Sequence, residues 1–279
     1  MGYDKNDCGN LKQVGDATSV IPAPIAPSAV TDALLSIGIK PGSVVLVHSD
    51  AIVAAQFPAM RSEQRLDLLI EAIDAAIGRE GTLVMPAFSY SFTKGEPFDI
   101  CNTPSTVGMV AERFRTRPGV RRTLDPIFSF ACRGPRAQEL CDIPIKECFG
   151  SESVFAALHR VNAHIICLGC SLNRATFVHY VETAHGVDYR YKKVFSGTVI
   201  SANGQASEKS VVYNVRDLTR RSDSDLRRLQ RRLADDGKSR TAEVGRFRIM
   251  AVTAGDFFDI AGKMLDEDPV SLVAEGAQR

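Results

Sequence analysis

Apolar and polar positions along the chain follow two alternating periods. Short apolar or β-branched runs at Val44 to Val47, Thr82 to Met85, Ile127 to Cys132 and His164 to Leu168 predict strands. Between them Leu66, Leu69, Ile70, Ile73 and Ile77 recur at helical spacing. Val107, Val110, Ala111 and Phe114 form a second stripe, and Val154 to Leu158 a third. Strands and helices in alternation predict an α/β fold, a layered sheet with helices packed on it. Further along, the pattern changes. Val194 to Ser201 and Lys209 to Val215 flank Asn203-Gly204, a dipeptide that tolerates the positive φ of tight hairpin turns, so a C-terminal antiparallel extension is expected from about residue 194. Leu226, Leu229 and Leu233 share a predicted helix with Arg227, Arg228, Arg231 and Arg232, read as a solvated charged face. Phe247 to Val252 predicts a last strand and Ala254 to Leu265 a closing helix. Residues 1–27 are polar, then Pro-rich, and read as a tail or extended arm, leaving 28–279 as one domain without internal repeats.

Composition narrows the function classes. The 279 residues are 44% hydrophobic, ample for a globular core. Lys plus Arg number 34 against 33 for Asp plus Glu, so no global field recruits nucleic acid. Seven cysteines, an odd number without the regular spacing of a disulfide framework, fit a reducing cytosol. No apolar run reaches the length of a membrane span, the N-terminus lacks a signal-peptide core, and Asn6 breaks the myristoylation pattern after Gly2. The expectation is a cytoplasmic protein that binds small molecules, with a homodimer left open.

Chemistry concentrates in Thr176-Phe177-Val178-His179-Tyr180-Val181-Glu182. Residues three apart on a helix share a face, so Glu182 can hold one ring nitrogen of His179 and leave the other free to take a proton. Taken alone, His-x-x-Glu is also what a surface His followed by a helix Glu looks like. Of the other histidines, His159 and His164 sit in apolar helix and strand patterns and read as structural, while His185 stays open. No Gly-rich phosphate loop is present, and no metal site is predicted.

Several blocks then run in one order: Val47-His48-Ser49-Asp50, Gly81 to Pro86, Thr103 to Gly108, Phe128-Ser129-Phe130, and Leu168-Gly169-Cys170 through Glu182. Together they resemble the aminoglycoside N3-acetyltransferase family, whose members move an acetyl group from acetyl-CoA to an amine of an aminocyclitol or sugar. The resemblance implies that fold, His179 as general base with Glu182 as its partner, and CoA contacts at His48, Ser49 and Asp50. Ser49 and Asp50 would leave the first strand where α/β sheets place ligands. Ser105 and Thr106 precede a helical stripe, and as N-cap residues they would turn helix amides toward a CoA phosphate; ordinary capping explains the same residue types.

Two departures matter. Asp125-Pro126 stands where many members carry His-Pro, and Asp50 where many have a second Ser. Phe88 to Asp99 and Asp188 to Lys193 resemble a branch associated with bacterial surface-polysaccharide biosynthesis, thought to acylate sugars. With the balanced charge, this suggests a nucleotide-linked amino sugar as acceptor, with Tyr90 and Tyr189 as stacking platforms, Asp99 among the substrate contacts, and Arg190, Lys192 or Lys193 on a phosphate. The rival readings are an aminoglycoside acetyltransferase, an acyltransferase or hydrolase that uses Cys170 as nucleophile, and a non-catalytic binder of CoA or a sugar nucleotide.

Overall fold

The computed structural model describes residues 23–144 and 146–275, so most of the expected arm over 1–27 lies outside the described residues. At its described end the Ile25 amide donates to the Gln56 carbonyl (3.0 Å). The chain then forms α1 (Ser28–Ser36), β1 (Val44–Ser49), α2 (Ser62–Ile77), β2 (Thr82–Pro86), β3 (Phe98–Asp99), α3 (Met109–Arg115), β4 (Arg121–Arg122), β5 (Phe130–Arg133), α4 (Ala137–Cys141) and α5 (Val154–Arg160). It continues through β6 (His164–Leu168), α6 (Val178–His185), β7 (Arg190–Ile200), β8 (Ala206–Arg216), α7 (Arg227–Asp235), β9 (Ser239–Val244), β10 (Phe247–Thr253) and α8 (Ala254–Glu267).

Seven strands make the main sheet in the order β4-β5-β2-β1-β6-β10-β9. β1 lies at its centre, parallel to β2 and β6, and antiparallel strands flank this trio on both sides. Because strand side chains alternate between faces, Leu46, Val84, Ile165 and Cys167 join Phe155 and Phe257 in one apolar cluster. Val45, Val47, Leu83 and Ile166 join Leu34, Ile70 and Phe114 in the other. Helices therefore cover both faces. That double burial is why the strand runs are continuously apolar rather than alternating, and each such Leu, Ile or Phe contributes about 1.5–3 kcal/mol of transfer free energy.

A second, three-stranded sheet has the order β3-β7-β8. β7 and β8 pair from Arg190↔Arg216 to Ile200↔Ala206, and Gly204 at φ 81° makes the expected turn. The sequence reading differs in three places. The ribbon starts at Arg190 rather than 194, so Arg190 and Lys193 lie in a strand. β5 starts at Phe130 because Asp125 accepts the Ile127 and Phe128 amides (both 2.8 Å) and holds those residues in a turn. The C-terminal part is more than an extension, since β10 returns to pair with β6 and β9 closes that edge of the main sheet. On α7 the expected amphipathic split is present: Leu229 and Leu233 are buried, and Arg232 pairs with Asp236 (3.2 Å). No helix among the described residues is long and apolar enough to cross a membrane.

Candidate active site

His179 stands in the first turn of α6, and its Nδ1 lies 2.7 Å from Glu182 Oε2. Glu182 is fully buried, which would be costly for a lone carboxylate, and the surrounding groups answer that cost. Arg190 Nε forms an ion pair with Oε2 at 2.6 Å, and the Tyr189 hydroxyl donates to Oε1 at 3.0 Å. Burial pushes the Glu182 carboxyl up, but His179, Arg190 and the tyrosine hydroxyl outweigh it and hold the group below its usual range. His179 is also lowered, first by burial and then by the Arg190 cation, with Glu182 opposing both. An ionised Glu182 beside a neutral His179 fixes the tautomer: Nδ1–H donates to the carboxylate, and Nε2 keeps its lone pair.

The supports of this pair come from three elements. Thr183 Oγ1 donates to the His179 carbonyl (2.7 Å) and accepts from Asn214 Nδ2 of β8 (3.2 Å). Phe149 meets the imidazole edge-on at 5.3 Å. From there an aromatic chain runs through Phe128 (4.7 Å) to Tyr90 (5.5 Å).

Tyr90 reaches a cleft of about 550 Å³ beyond the C-terminal ends of β1, β2 and β6. His48, Ser49, Asp50, Tyr90, Thr106, Cys170, Asn173, Arg174 and Thr176 line it. This is where an open α/β sheet leaves space for a ligand. Asp50 Oδ1 caps the turn after β1 by accepting from the Ile52 amide (3.0 Å). His48 is almost fully buried, its Nε2 has no partner, and burial lowers it to about 4, so the ring is neutral. Arg122 is buried and donates to the Thr103 carbonyl, the Ala87 carbonyl (2.6 Å) and Ser129 Oγ (3.1 Å), stapling Thr103 to the end of β2. Among the described residues, no group of three or more His, Cys, Asp or Glu side chains could hold a metal ion.

Of the residues expected from sequence, His48, Ser49, Asp50, Tyr90 and Thr106 line this cleft, and His179 and Glu182 pair as expected. Others are placed differently. Ser105 and Thr106 do not cap α3, whose N-cap is Gly108 at φ 118°. Ser105 Oγ accepts from the Val107 amide (3.3 Å) and its own amide donates to Glu112 Oε2 (2.8 Å), while Thr106 Oγ1 donates to the Phe88 carbonyl (3.1 Å). Tyr189 is 1% exposed and cannot be a stacking platform. Arg190 is spent on Glu182 and is not free for a phosphate. Asp99 Oδ1 accepts the Cys101 and Asn102 amides (both 2.9 Å), capping a turn outside the cleft. Lys193 is exposed on the ribbon over the Phe195 ring (5.1 Å), and Lys192 pairs with Glu147 (2.7 Å). The Cys170 thiol donates to the His48 carbonyl (3.4 Å) rather than to His179. Sequence reasoning missed Arg122, Asn173, Arg174 and Phe149. It also passed over the C-x-x-C spacing of Cys167 and Cys170, which was there to be read.

Known proteins share this architecture. The crystal structure of a mutant of aminoglycoside acetyltransferase AAC(3)-IVa in complex with apramycin superposes with a TM-score of 0.72 at 26% identity, covering 90% of this chain and 96% of that one. AAC-IIIb in a binary complex with CoASH matches at a TM-score of 0.77, covering 91% of this chain and 100% of that one; at 17% identity it speaks for the fold alone. Aminoglycoside N(3)-acetyltransferase IV of Salmonella sp is 36% identical over 160 residues, which cover 56% of this chain and 58% of that relative, less than two thirds of its length. The family model of the aminoglycoside 3-N-acetyltransferases matches residues 46–266, most of the chain, and the protein belongs to that family.

Proposed function

We propose that the chain is an acetyl-CoA-dependent N-acetyltransferase acting on an amine of an amino-sugar compound, with aminoglycosides the class its relatives favour. The observation that carries this reading is the His179–Glu182 pair, a neutral imidazole with one nitrogen held at 2.7 Å by a buried carboxylate. An acetyl transfer needs an amine with a free lone pair. His179 Nε2 takes the proton as the amine attacks the thioester carbonyl, the tetrahedral centre collapses, and the CoA thiolate leaves. Glu182 balances the imidazolium that forms, and Arg190 keeps Glu182 ionised. The thioester arm occupies the cleft along His48, Ser49, Asp50 and Thr106, and the acceptor reaches His179 from the side of Phe149 and the β7–β8 ribbon. No covalent acetyl-enzyme is required, so both substrates bind together.

A nucleotide-linked or otherwise anionic amino sugar is the second reading. It draws on the near balance of charges and on the cleft, where Asp50 is the one carboxylate among the described lining residues and Arg174 is the cation. Its support is narrower than the sequence suggests. Tyr189 and Arg190 are buried in the catalytic centre, Lys192 is paired with Glu147, and Lys193 stays exposed on the ribbon. Thiol release from acetyl-CoA, measured across aminoglycosides, neutral amino sugars and nucleotide-linked amino sugars, separates the readings. Release that needs no acceptor amine, or none with any amine, defeats both.

A further inference from the structure

Cys167-Leu168-Gly169-Cys170 runs off the end of β6 into the cleft wall. The Cys170 sulfur lies 3.4 Å from the carbonyl of His48, the residue that Cys167 faces in the β1–β6 ladder. Cys170 is half-buried and lines the cleft, whereas Cys167 is buried in the apolar cluster, in register beside His48 of β1. Gly169 between them takes φ +70°, and a Cβ there would lie 2.3 Å from Val53 Cγ2, so the turn is pressed against the segment after β1 and both cysteines pack on the same apolar cluster.

We propose that Cys167 and Cys170 form a redox-modification site, in which a hydroperoxide entering the cleft oxidises Cys170 and Cys167 closes a disulfide. The Cys170 thiolate attacks the terminal peroxide oxygen, the O–O bond breaks, and the leaving alkoxide or hydroxide takes up the thiol proton as alcohol or water. Sulfur is oxidised to the sulfenic acid and the peroxide is reduced. The Cys167 sulfur then displaces hydroxide from the sulfenic sulfur, and that hydroxide leaves as water with the Cys167 proton. Two thiols and one hydroperoxide thus give one disulfide, one alcohol or water, and one further water.

The two sulfurs are unequal in a sense that suits these roles. The neighbouring Cys167 thiol holds Cys170 below its usual value, while Cys170 and burial raise Cys167 well above it. The thiolate is the reactive form, so the accessible sulfur is the attacking one and the buried sulfur resolves. Cys132 and Cys141 lie in the same apolar cluster, but both are buried and neither lines the cleft, which makes them an internal control.

The experiment treats the full chain with hydrogen peroxide, alkylates the remaining thiols after denaturation, and maps peptides by mass. A Cys167–Cys170 peptide lighter by two hydrogens, with Cys132 and Cys141 still alkylated, is expected. In Cys167→Ala, dimedone should trap a sulfenic acid at Cys170, and in Cys170→Ala, Cys167 should stay reduced. The proposal falls if Cys167 and Cys170 both remain alkylatable after exposed Cys101 has been oxidised. It falls equally if Cys167 oxidises without Cys170. Saturating acetyl-CoA should slow the crosslink, an arm that rests on the donor-cleft reading; a crosslink that forms at an unchanged rate would leave the disulfide standing and sink that reading instead.

Discussion

Replacing Glu182 with Gln keeps the side-chain shape and removes its charge. An amide oxygen turned toward His179 still accepts from Nδ1–H, so the tautomer survives. What is lost is the anion opposite Arg190, whose side chain is 1% exposed and lies 2.6 Å from Oε2. Stripping one partner from a buried ion pair costs about 3–5 kcal/mol, and Glu182→Gln should lose stability on that scale in a denaturant titration. The kinetic effect has its own sign. Glu182 opposes the burial and the Arg190 cation that lower His179, so without it the imidazole drops further, each unit corresponding to about 1.4 kcal/mol. The acid limb of kcat/KM, read by thiol release, should move to lower pH. Its plateau should fall by at least about tenfold, because a weaker base drives proton transfer less and the forming imidazolium loses its counter-ion. A Glu182→Gln/Arg190→Met double variant, with neither charge left, should regain much of the stability and none of the plateau. An acid limb that stays put or moves up, or a single variant as stable as the parent, would refute this account of the buried triad.

His179→Ala should lower kcat by about a hundredfold or more, as expected for loss of a general base, and should cost about 1–3 kcal/mol of stability because buried Glu182 loses a donor; retention of near-parental kcat in a folded variant would remove His179 from that role. His48, lowered to about 4 from 6.5, binds a proton in the unfolded chain before it does so in the folded one. Its contribution is therefore present above pH 6.5 and declines as pH falls toward 4, by about 3 kcal/mol at about 1.4 kcal/mol per unit; His48→Asn should flatten that slope in melts taken across the window. Gly169→Ala places a Cβ 2.3 Å from Val53 Cγ2 at φ +70°. The left-handed strain alone costs about 1–2 kcal/mol, so an unchanged denaturation midpoint would contradict the described turn.

How much of this can be read from residues alone depends on whether the partners share one element. His179 and Glu182 share a helix face, so their meeting follows from spacing of three. His48 to Asp50 sit at the end of a central strand, where the fold places ligands whatever the strand's neighbours are. Tyr189 and Arg190 resemble substrate contacts in sequence because their types suit sugars and phosphates. Which face the root of β7 turns toward α6 is decided by the packing of a second sheet, and no local pattern carries that. Ser105 and Thr106 mislead for a smaller reason: Gly108, at a φ few other residues accept, lets the chain delay the helix by several residues. Phe149 carries no motif at all and reaches His179 only through the fold.

On the proposed reading, donor and acceptor are served by different sheets. The cleft is built from strand ends of the seven-stranded sheet, whereas the clamp on Glu182 comes from the root of a long ribbon belonging to the three-stranded one. Beyond that root, Tyr191 to Val194 of β7 and Ala206 to Ser210 of β8 are exposed, while Val199 is buried where β3 joins the ribbon. Such an arrangement separates what selection must keep from what it can alter. On that reading, changes at the exposed ribbon positions would remodel the acceptor's approach while leaving His179 and the cleft wall as they are, so one amine could be exchanged for another with the use of the acyl donor unchanged.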